Sequence, residues 1–200
     1  VDKFNEAKNW ECTNFEDLTE DINSYIKDFP TGRKDARIEL NQIFNSLRIC
    51  DPAVGSGHFL VSVLNELISI KHDLNILCDK NFEVLNSYEI TVQNDELIIE
   101  ADKVFFKYNP KNKESQRVQE TLFHEKETLI ENCLFGVDLN PNSVKICRLR
   151  LWIELLKNAY YKTETELETL PNIDINIKNG NSLVSRFALD TDLKSAFKKS

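Results

Sequence analysis

Hydrophobic side chains recur at three- and four-residue spacing near the start of the chain. Residues 15–28 and 35–46 both show this spacing, which predicts two amphipathic helices. Pro30 and Gly32 lie between them and mark a turn. We therefore predict an N-terminal helical segment over residues 1–46.

Three later runs, at residues 47–50, 133–137 and 173–177, predict strands. The first run does not alternate, which is typical of a parallel strand that is buried on both faces. A helical period follows each of the first two runs. The second of these helices, predicted over 143–160, carries apolar residues on two sides, so we expect both sides to be buried. Strands that alternate with helices predict an α/β fold with right-handed crossovers.

The pattern changes from about residue 72 to residue 131, between the first of these helices and the second strand. Residues 82–106 alternate and are rich in β-branched side chains, which predicts a hairpin or a small meander. Residues 114–131 predict a charged surface helix. We therefore expect a β/α insertion within a core that spans residues 47–186, and residues 187–200 would begin a following segment.

Three polar segments follow the predicted strands: DPAVGSG at residues 51–57, GVDLNP at 136–141 and KNGNSL at 178–183. The carboxyl ends of parallel strands meet at one edge of the sheet, and ligands of such sheets bind beyond that edge. The sequence therefore predicts a binding site built from these three segments.

The segment DPAVGSG favours a ligand with a positive end. Gly55 and Gly57 let the backbone approach a ligand closely, and the helix that follows offers unpaired N–H groups. A P-loop is excluded because no Gly-Lys-Ser/Thr follows, and a dinucleotide fingerprint fits poorly because Leu60 replaces the third glycine. Asp51 would repel a pyrophosphate but suits the ammonium group of a methionine moiety. The alternative is a tight turn that serves only the fold.

The other two segments offer groups for a nucleoside. Asp138 can accept hydrogen bonds from both hydroxyls of a ribose, and Leu139 could lie against an adenine ring. The side-chain amide of Asn181 matches the exocyclic amine and a ring nitrogen of adenine. Alternatively, Asp138 caps the following helix, and Asn181 belongs to an ordinary turn.

These segments also resemble a known family. DPAVGSGHFL is similar to the first cofactor motif of N6-adenine DNA methyltransferases, usually DPAxGSGxFL, where Val54 stands at the variable position. FGVDLNPNSVKICRLRLWIELL resembles the second motif with its helix, and IKNGNSL resembles the third. The similarity covers roughly residues 47–186 and is closest to the methyltransferase part of type IIG restriction–modification enzymes.

The resemblance implies a Rossmann-like core, with an incomplete parallel sheet and flanking helices, that binds S-adenosylmethionine. Asp138 would hold the ribose of this cofactor, and Leu139 and Asn181 would surround its adenine. The methionine end would be lined by Asp51, Pro52, Ala53, Gly55, Ser56 and Gly57. The reaction implied is methyl transfer to N6 of adenine in DNA.

Two family motifs are not evident in the chain. The catalytic tetrapeptide Asn-Pro-Pro-Tyr or Phe is absent, since Asn109-Pro110 and Asn140-Pro141 both lack the second proline. A Thr-Pro motif is not found in residues 1–46. We therefore assign no catalytic residue and expect the chain alone to be inactive. RNA or protein methylation, and a non-catalytic module that binds a cofactor or a partner protein, remain as alternatives.

Charge and composition limit the partners. The net charge of -8 is unfavourable for a domain that grips DNA alone, so we expect DNA to be bound largely by sequence outside this chain. Lys107, Lys111, Lys113 and Arg117 form a small basic cluster that is either solvated or contacts the DNA backbone. No apolar run reaches the length of a membrane span, and no secretory signal is evident.

The cysteines indicate a reducing compartment. Five cysteines occur without a CxxC pair or metal-ligand spacing, so we expect buried, reduced thiols in a cytoplasmic protein and no metal site.

Overall fold

The computed structural model describes residues 1–163, 165–168 and 176–183. Its helices are α1 (Asp2–Lys8), α2 (Phe15–Asp28), α3 (Arg33–Phe44), α4 (His58–Asp73), α5 (Lys113–Asn132) and α6 (Pro141–Leu156). Its strands are β1 (Ile49–Asp51), β2 (Glu89–Gln93), β3 (Glu96–Ala101), β4 (Val104–Phe105), β5 (Leu134–Asp138) and β6 (Ile177–Asn179).

The two helices predicted near the N-terminus are confirmed as α2 and α3. Asn14 caps α2 by accepting a hydrogen bond from the backbone N–H of Asp17 at 2.9 Å, as the residue before a helix commonly does. The apolar face of α2 is buried. The hydrophobic pattern does not predict α1. The side chain of Lys8, the last residue of α1, donates hydrogen bonds to Tyr25 of α2 and Glu39 of α3, and these bonds connect the three helices.

A three-stranded parallel sheet forms the centre of the α/β unit, in the order β1-β5-β6. This arrangement confirms the α/β class and the parallel pairing. The predicted third strand is present as β6, although residues 173–175 of that prediction lie outside the described part of the chain. The carboxyl ends of the three strands lie at the same edge.

The described residues cover only one face of this sheet. Leu134, Gly136 and Ile177 are buried, and the alternation of a strand places the neighbouring residues on the opposite face. On that face Cys50 is exposed and Phe135 is half-buried. The prediction that β1 is buried on both faces is therefore wrong, because the described elements pack against one side of the sheet.

The predicted insertion contains the expected meander. β2, β3 and β4 form an antiparallel sheet in sequence order. The two-residue turns, at residues 94–95 and 102–103, have positive φ at both positions, the backbone of type I′ hairpins. The meander lies against α4, where Asn65 Nδ2 donates to the carbonyl of Asp95 at 2.8 Å and Ser69 Oγ donates to that of Ile90 at 3.2 Å.

α5 is not the surface helix that its charges predict. It buries residues on several sides, including Leu122, Phe123 and the long side chain of Lys126. Two ion pairs make this burial possible, one between Lys71 and Glu125 and one between Lys126 and Glu154. Because these charges have partners inside the protein, α5 packs against α4 and α6 as part of the core.

α6 ends at Leu156 and buries one face rather than two. Val144, Cys147, Leu151 and Leu155 are buried. Ile146, Leu149, Ile153 and Leu156, which we call the outer row, are all exposed. The prediction of a second buried side is wrong because no described element covers the outer row.

The prediction of buried, reduced cysteines is confirmed for four of the five. All five cysteines are free thiols, and Cys12, Cys78, Cys133 and Cys147 are buried, but Cys50 is exposed on the open sheet face. Within the described residues, no helix is both long enough and apolar enough to cross a membrane.

Candidate functional site

The loop over residues 51–57 connects β1 to α4 and is folded by backbone hydrogen bonds. Asp51 Oδ1 accepts from the N–H of Ala53 at 3.0 Å. The N–H of Val54 donates to the carbonyl of Val137 at 2.9 Å, and that of Gly57 donates to Val54 at 2.8 Å. The loop is thereby tied to β5, while Pro52, Ala53 and Ser56 remain exposed.

Gly57 lies where the loop passes closest to α6. Its φ is +81°, and a Cβ built there would be 2.5 Å from Cys147 Sγ and 3.1 Å from Cys147 Cα. Both the backbone conformation and the space therefore require glycine. Gly57 also precedes the first residue of α4 without any side-chain cap, so first-turn N–H groups of α4 are left for a ligand.

Val54 fixes the loop over the sheet. This side chain is only 4% exposed, and a Cβ at Gly136 would come within 2.9 Å of Val54 Cγ2. The side chain of Val54 therefore packs directly on the backbone of Gly136 in β5. Sequence reasoning treated position 54 as variable and did not single out Gly136. A glycine inside an apolar strand was the signal available, since it often marks close backbone approach.

Asp138 joins the second segment to the first. Its Oδ2 accepts a hydrogen bond from the N–H of Gly55 at 2.9 Å, across 83 residues of sequence. Its Oδ1 accepts from the N–H of Asn140 at 2.7 Å. Asn140, rather than Asp138, caps α6, through the N–H of Asn142 at 2.9 Å. Each carboxylate oxygen has two lone pairs, so each can still accept a hydrogen bond from a ligand.

Leu139 follows β5, and Asn181 lies two residues after the end of β6. Leu139 is 69% exposed although it is apolar. The side-chain oxygen of Asn181 accepts from the N–H of Leu183 at 3.0 Å, which is the turn bond that the alternative interpretation expected. Gly180, the preceding residue, donates its N–H to the carbonyl of Asp138 at 3.0 Å.

Asn179 performs the positioning role in the third segment. Its side-chain Nδ2 donates to the carbonyls of Asp138 and Leu139, at 2.9 Å each. These bonds hold the chain between β5 and α6 beside the end of β6. Sequence reasoning favoured Asn181 and missed Asn179, although both amides lie in the same segment and Asn179 pairs in register with Asp138.

The insertion also reaches this site. The turn between β2 and β3 places Asp95 Oδ2 3.4 Å from His58 Nε2, and His58 is the first residue of α4. Ser62 Oγ donates to Asp95 Oδ1 at 2.8 Å. The meander therefore supports the start of α4 directly after the glycine loop, a contact that the sequence pattern gave no means to predict.

In the predicted basic cluster, Lys107, Lys111 and Lys113 are exposed, whereas Arg117 is paired. Arg117 bonds Asp79 at 3.1 Å and Glu114 at 2.7 Å, so its charge is already compensated. A cavity of about 770 Å³ lies nearby, between α3 and α5, but it does not include the residues of the glycine loop. In the described part of the chain, no group of three His, Cys, Asp or Glu side chains could hold a metal ion.

The fold and the three segments together define a class of protein. A parallel sheet carries a glycine loop after its first strand, an aspartate after its second and an asparagine segment after its third. The matching family model places the chain in the class of DNA-methyltransferase domains. The chain belongs to the family of the MmeI DNA-methyltransferase domain, whose family model matches residues 30–200. The family resemblance of the sequence is thereby confirmed.

Two curated relatives carry both activities in their names. The chain is 32% identical, over 97% of its length, to RM.MjaORFECS2P of Methanocaldococcus jannaschii, a candidate type II restriction enzyme and methyltransferase. It is 31% identical, over 52% of its length, to the type II restriction enzyme and methyltransferase RM.Eco57I of Escherichia coli. The chain spans 13% of the first relative and 12% of the second. No solved structure gives a significant match.

Proposed function

We propose that this chain forms the S-adenosylmethionine-binding part of a DNA methyltransferase that modifies N6 of adenine. The observation that carries the proposal is the hydrogen bond between Asp138 and Gly55, 2.9 Å long. It brings two of the three motif segments together at the carboxyl edge of the sheet, where ligands of parallel sheets bind.

The strand order supports a Rossmann-like core. A doubly wound sheet contains strands in the order 3-2-1-4-5-6, and ligands bind where the order reverses next to strand 1. The order β6-β5-β1 corresponds to the first half of that sequence. Under this proposal, residues 1–46 form a helical segment, residues 47–186 form the core with its insertion, and residues 187–200 begin the next segment.

The residues of the site fit the chemical groups of the cofactor. The uncapped N-terminus of α4 favours the methionine carboxylate, and Asp51 offers a carboxylate to the ammonium group. Pro52, Ala53, Gly55, Ser56 and Gly57 shape the loop around this end.

At the nucleoside end, Asp138 accepts the ribose hydroxyls with its remaining lone pairs. Leu139 presents its exposed side chain to the adenine ring, and Asn181 offers the amide nitrogen that its turn does not use. When bound, the cofactor supplies a methyl group on a positively charged sulfur. The protein residues named here orient it.

The DNA-directed part of the proposal rests on the family and on the names of the relatives. The net charge of -8 favours DNA binding through other parts of a larger protein, and such a protein would act in the cytoplasm. The chain contains no Asn-Pro-Pro-Tyr or Phe, so no residue of it is assigned to the methyl-transfer step. RNA or protein methylation and cofactor binding without catalysis are the competing functions.

Calorimetric titration of S-adenosylmethionine into the 200-residue chain tests the cofactor site. We expect saturable binding that weakens about tenfold or more, equivalent to about 1.4 kcal/mol, in Asp138→Asn and in Leu139→Asp. The second variant changes an exposed side chain, so its effect is not one of folding. Asp102→Asn, in a hairpin turn of the insertion, is the matched control and should bind as the parent does. Binding that neither site variant weakens would contradict the proposed site.

A further inference from the structure

The outer row of α6 forms a regular apolar seam on the protein surface. Its side chains are exposed by 48% at Ile146, 60% at Leu149, 45% at Ile153 and 47% at Leu156. The steps between them are three, four and three residues, which is the spacing of the a and d positions of a coiled coil. A single exposed leucine is ordinary, but a contiguous row of four marks an interaction surface.

The outer row is not the side of α6 that packs into the core. The buried residues Val144, Cys147 and Leu151 lie on the opposite side of the helix, because each residue advances the helix by about 100°. The outer row therefore faces away from α4, α5 and the sheet. Neither the cofactor site nor the strand ends involve it.

Basic residues flank the outer row on both sides. If Ile146 occupies position a, Lys145 occupies g and Arg150 occupies e, the positions that select a partner by charge. Both residues are exposed, and within the described residues neither forms an ion pair. Lys157, also at an e position, is already paired with Glu154 at 2.7 Å.

These charges select the kind of partner. A second copy of the chain would place Lys145 and Arg150 against like charges in either helix orientation, which is unfavourable. We propose that the outer row of α6 is a docking site for an amphipathic helix with apolar a and d positions and acidic e and g positions. The proposal goes beyond the methyltransferase function, since it concerns a partner rather than cofactor or DNA.

Methyl NMR titration of the 200-residue chain tests this docking site. The probe is a synthetic helical peptide of about three heptads with Leu at a and d and Glu at e and g. The control peptide differs only in having Lys at e and g. We expect the methyl signals of Ile146, Leu149 and Ile153 to shift saturably with the acidic peptide, while those of buried Leu151 stay in place. Binding of the acidic peptide should be at least about tenfold tighter than that of the basic one.

Charge reversal distinguishes this partner from other occupants. Lys145→Glu combined with Arg150→Glu should reverse the preference, so that the basic peptide binds more tightly. Both substitutions are at exposed positions, and the circular dichroism spectrum should not change. Failure of both peptides to shift the outer row would overturn the proposal. So would a dimer in sedimentation that Leu149→Glu dissociates, because the occupant would then be a second copy.

Discussion

At Gly57 the chain turns through a left-handed conformation while it touches the backbone of α6. Gly55 shares the positive φ, at +53°, but a Cβ there would have only the carbonyl of Ala53 near it, at 3.9 Å. Substitution of these two glycines would therefore have different energetic costs. Gly55 carries the conformational cost alone, and Gly57 carries it together with a steric clash against Cys147.

We expect Gly57→Ala to destabilise the fold by about 1–3 kcal/mol more than Gly55→Ala. The added cost is that of forcing a methyl group into a packed contact, while both variants share the left-handed penalty of about 1–2 kcal/mol. Denaturant unfolding of the two variants measures the difference. Equal destabilisation would mean that α6 moves away from the loop at no cost.

Lys126 is the second residue whose surroundings predict a measurable effect. Burial lowers the pKa of Lys126 to about 8 from 10.5, although the charge of Glu154 favours the protonated form. Between these two values the unfolded chain binds more protons than the folded chain does. The contribution of Lys126 to the free energy of unfolding therefore increases as the pH rises from about 8 to 10.5.

Comparing the parent chain with Lys126→Met isolates the contribution of Lys126. The five cysteine thiols also titrate in this pH range, but they contribute equally in both proteins. We expect the parent chain to gain stability relative to Lys126→Met, by on the order of 1–3 kcal/mol, as the pH rises from about 8 to 10.5. Lys27→Met, at an exposed position, should show no such trend. Urea unfolding at a series of pH values provides the measurement, and a flat difference would refute the prediction.

The sequence predicted that the polar segments meet at one edge of the sheet, but it did not predict what their residues contact there. Asp138 and Gly55 could be assigned to one edge because each follows a strand, and their hydrogen bond agrees with that reasoning. Gly136 and Asn179 could not be assigned. Their roles depend on the distance between two strands and on the path of the chain after β5, which emerge only when the sheet is assembled.

Among the elements, α6 shows most directly what periodicity can and cannot predict. Both faces of this helix carry apolar residues in the sequence, yet Leu151 is fully buried and Leu149 is exposed. The helical period identifies a face but not whether another element covers it. The same limit applies to α5, where buried charged pairs were mistaken for a solvated surface.

Alanine substitution should distinguish the two faces of α6. Leu151→Ala should cost about 2–5 kcal/mol, the range for leucines removed from a packed core. Leu149→Ala should change the free energy of unfolding by no more than about 0.5 kcal/mol. Thermal or denaturant unfolding of both variants measures these values. A large cost for Leu149→Ala would show that the outer row is packed within the isolated chain.

For the molecule as a whole, the open sheet face is the feature that sets its surface chemistry. The sequence predicted that the first strand is buried on both faces because its run does not alternate. That reasoning describes a complete sheet, and the described chain contributes three parallel strands and covers one side of them. Apolar runs alone could not reveal which side would stay open.

Thiol labelling measures the openness of that face. Cys50 should react rapidly with a water-soluble disulfide reagent in the native protein, since it is the exposed cysteine of the five. Burial raises the pKa of Cys147 to about 11 and that of Cys78 to about 12, which keeps these thiols unreactive. Cys50→Ser should abolish the fast phase, and denaturation should release all five thiols. Protection of Cys50 in the native chain would mean that this face is covered.

The contact between Gly55 and Asp138 also bears on the order in which the protein folds. The two residues are 83 positions apart, and contacts of such long range slow folding because a large loop must close first. The contacts of the meander join residues that are close in sequence, so they can form before β1 pairs with β5. Loop-closure entropy grows slowly, by about 0.6 kcal/mol for each doubling of length. The hairpin turns of the insertion are therefore free to lengthen in evolution with little effect on the stability of the sheet, provided that the contacts of β2 and β3 with α4 are kept.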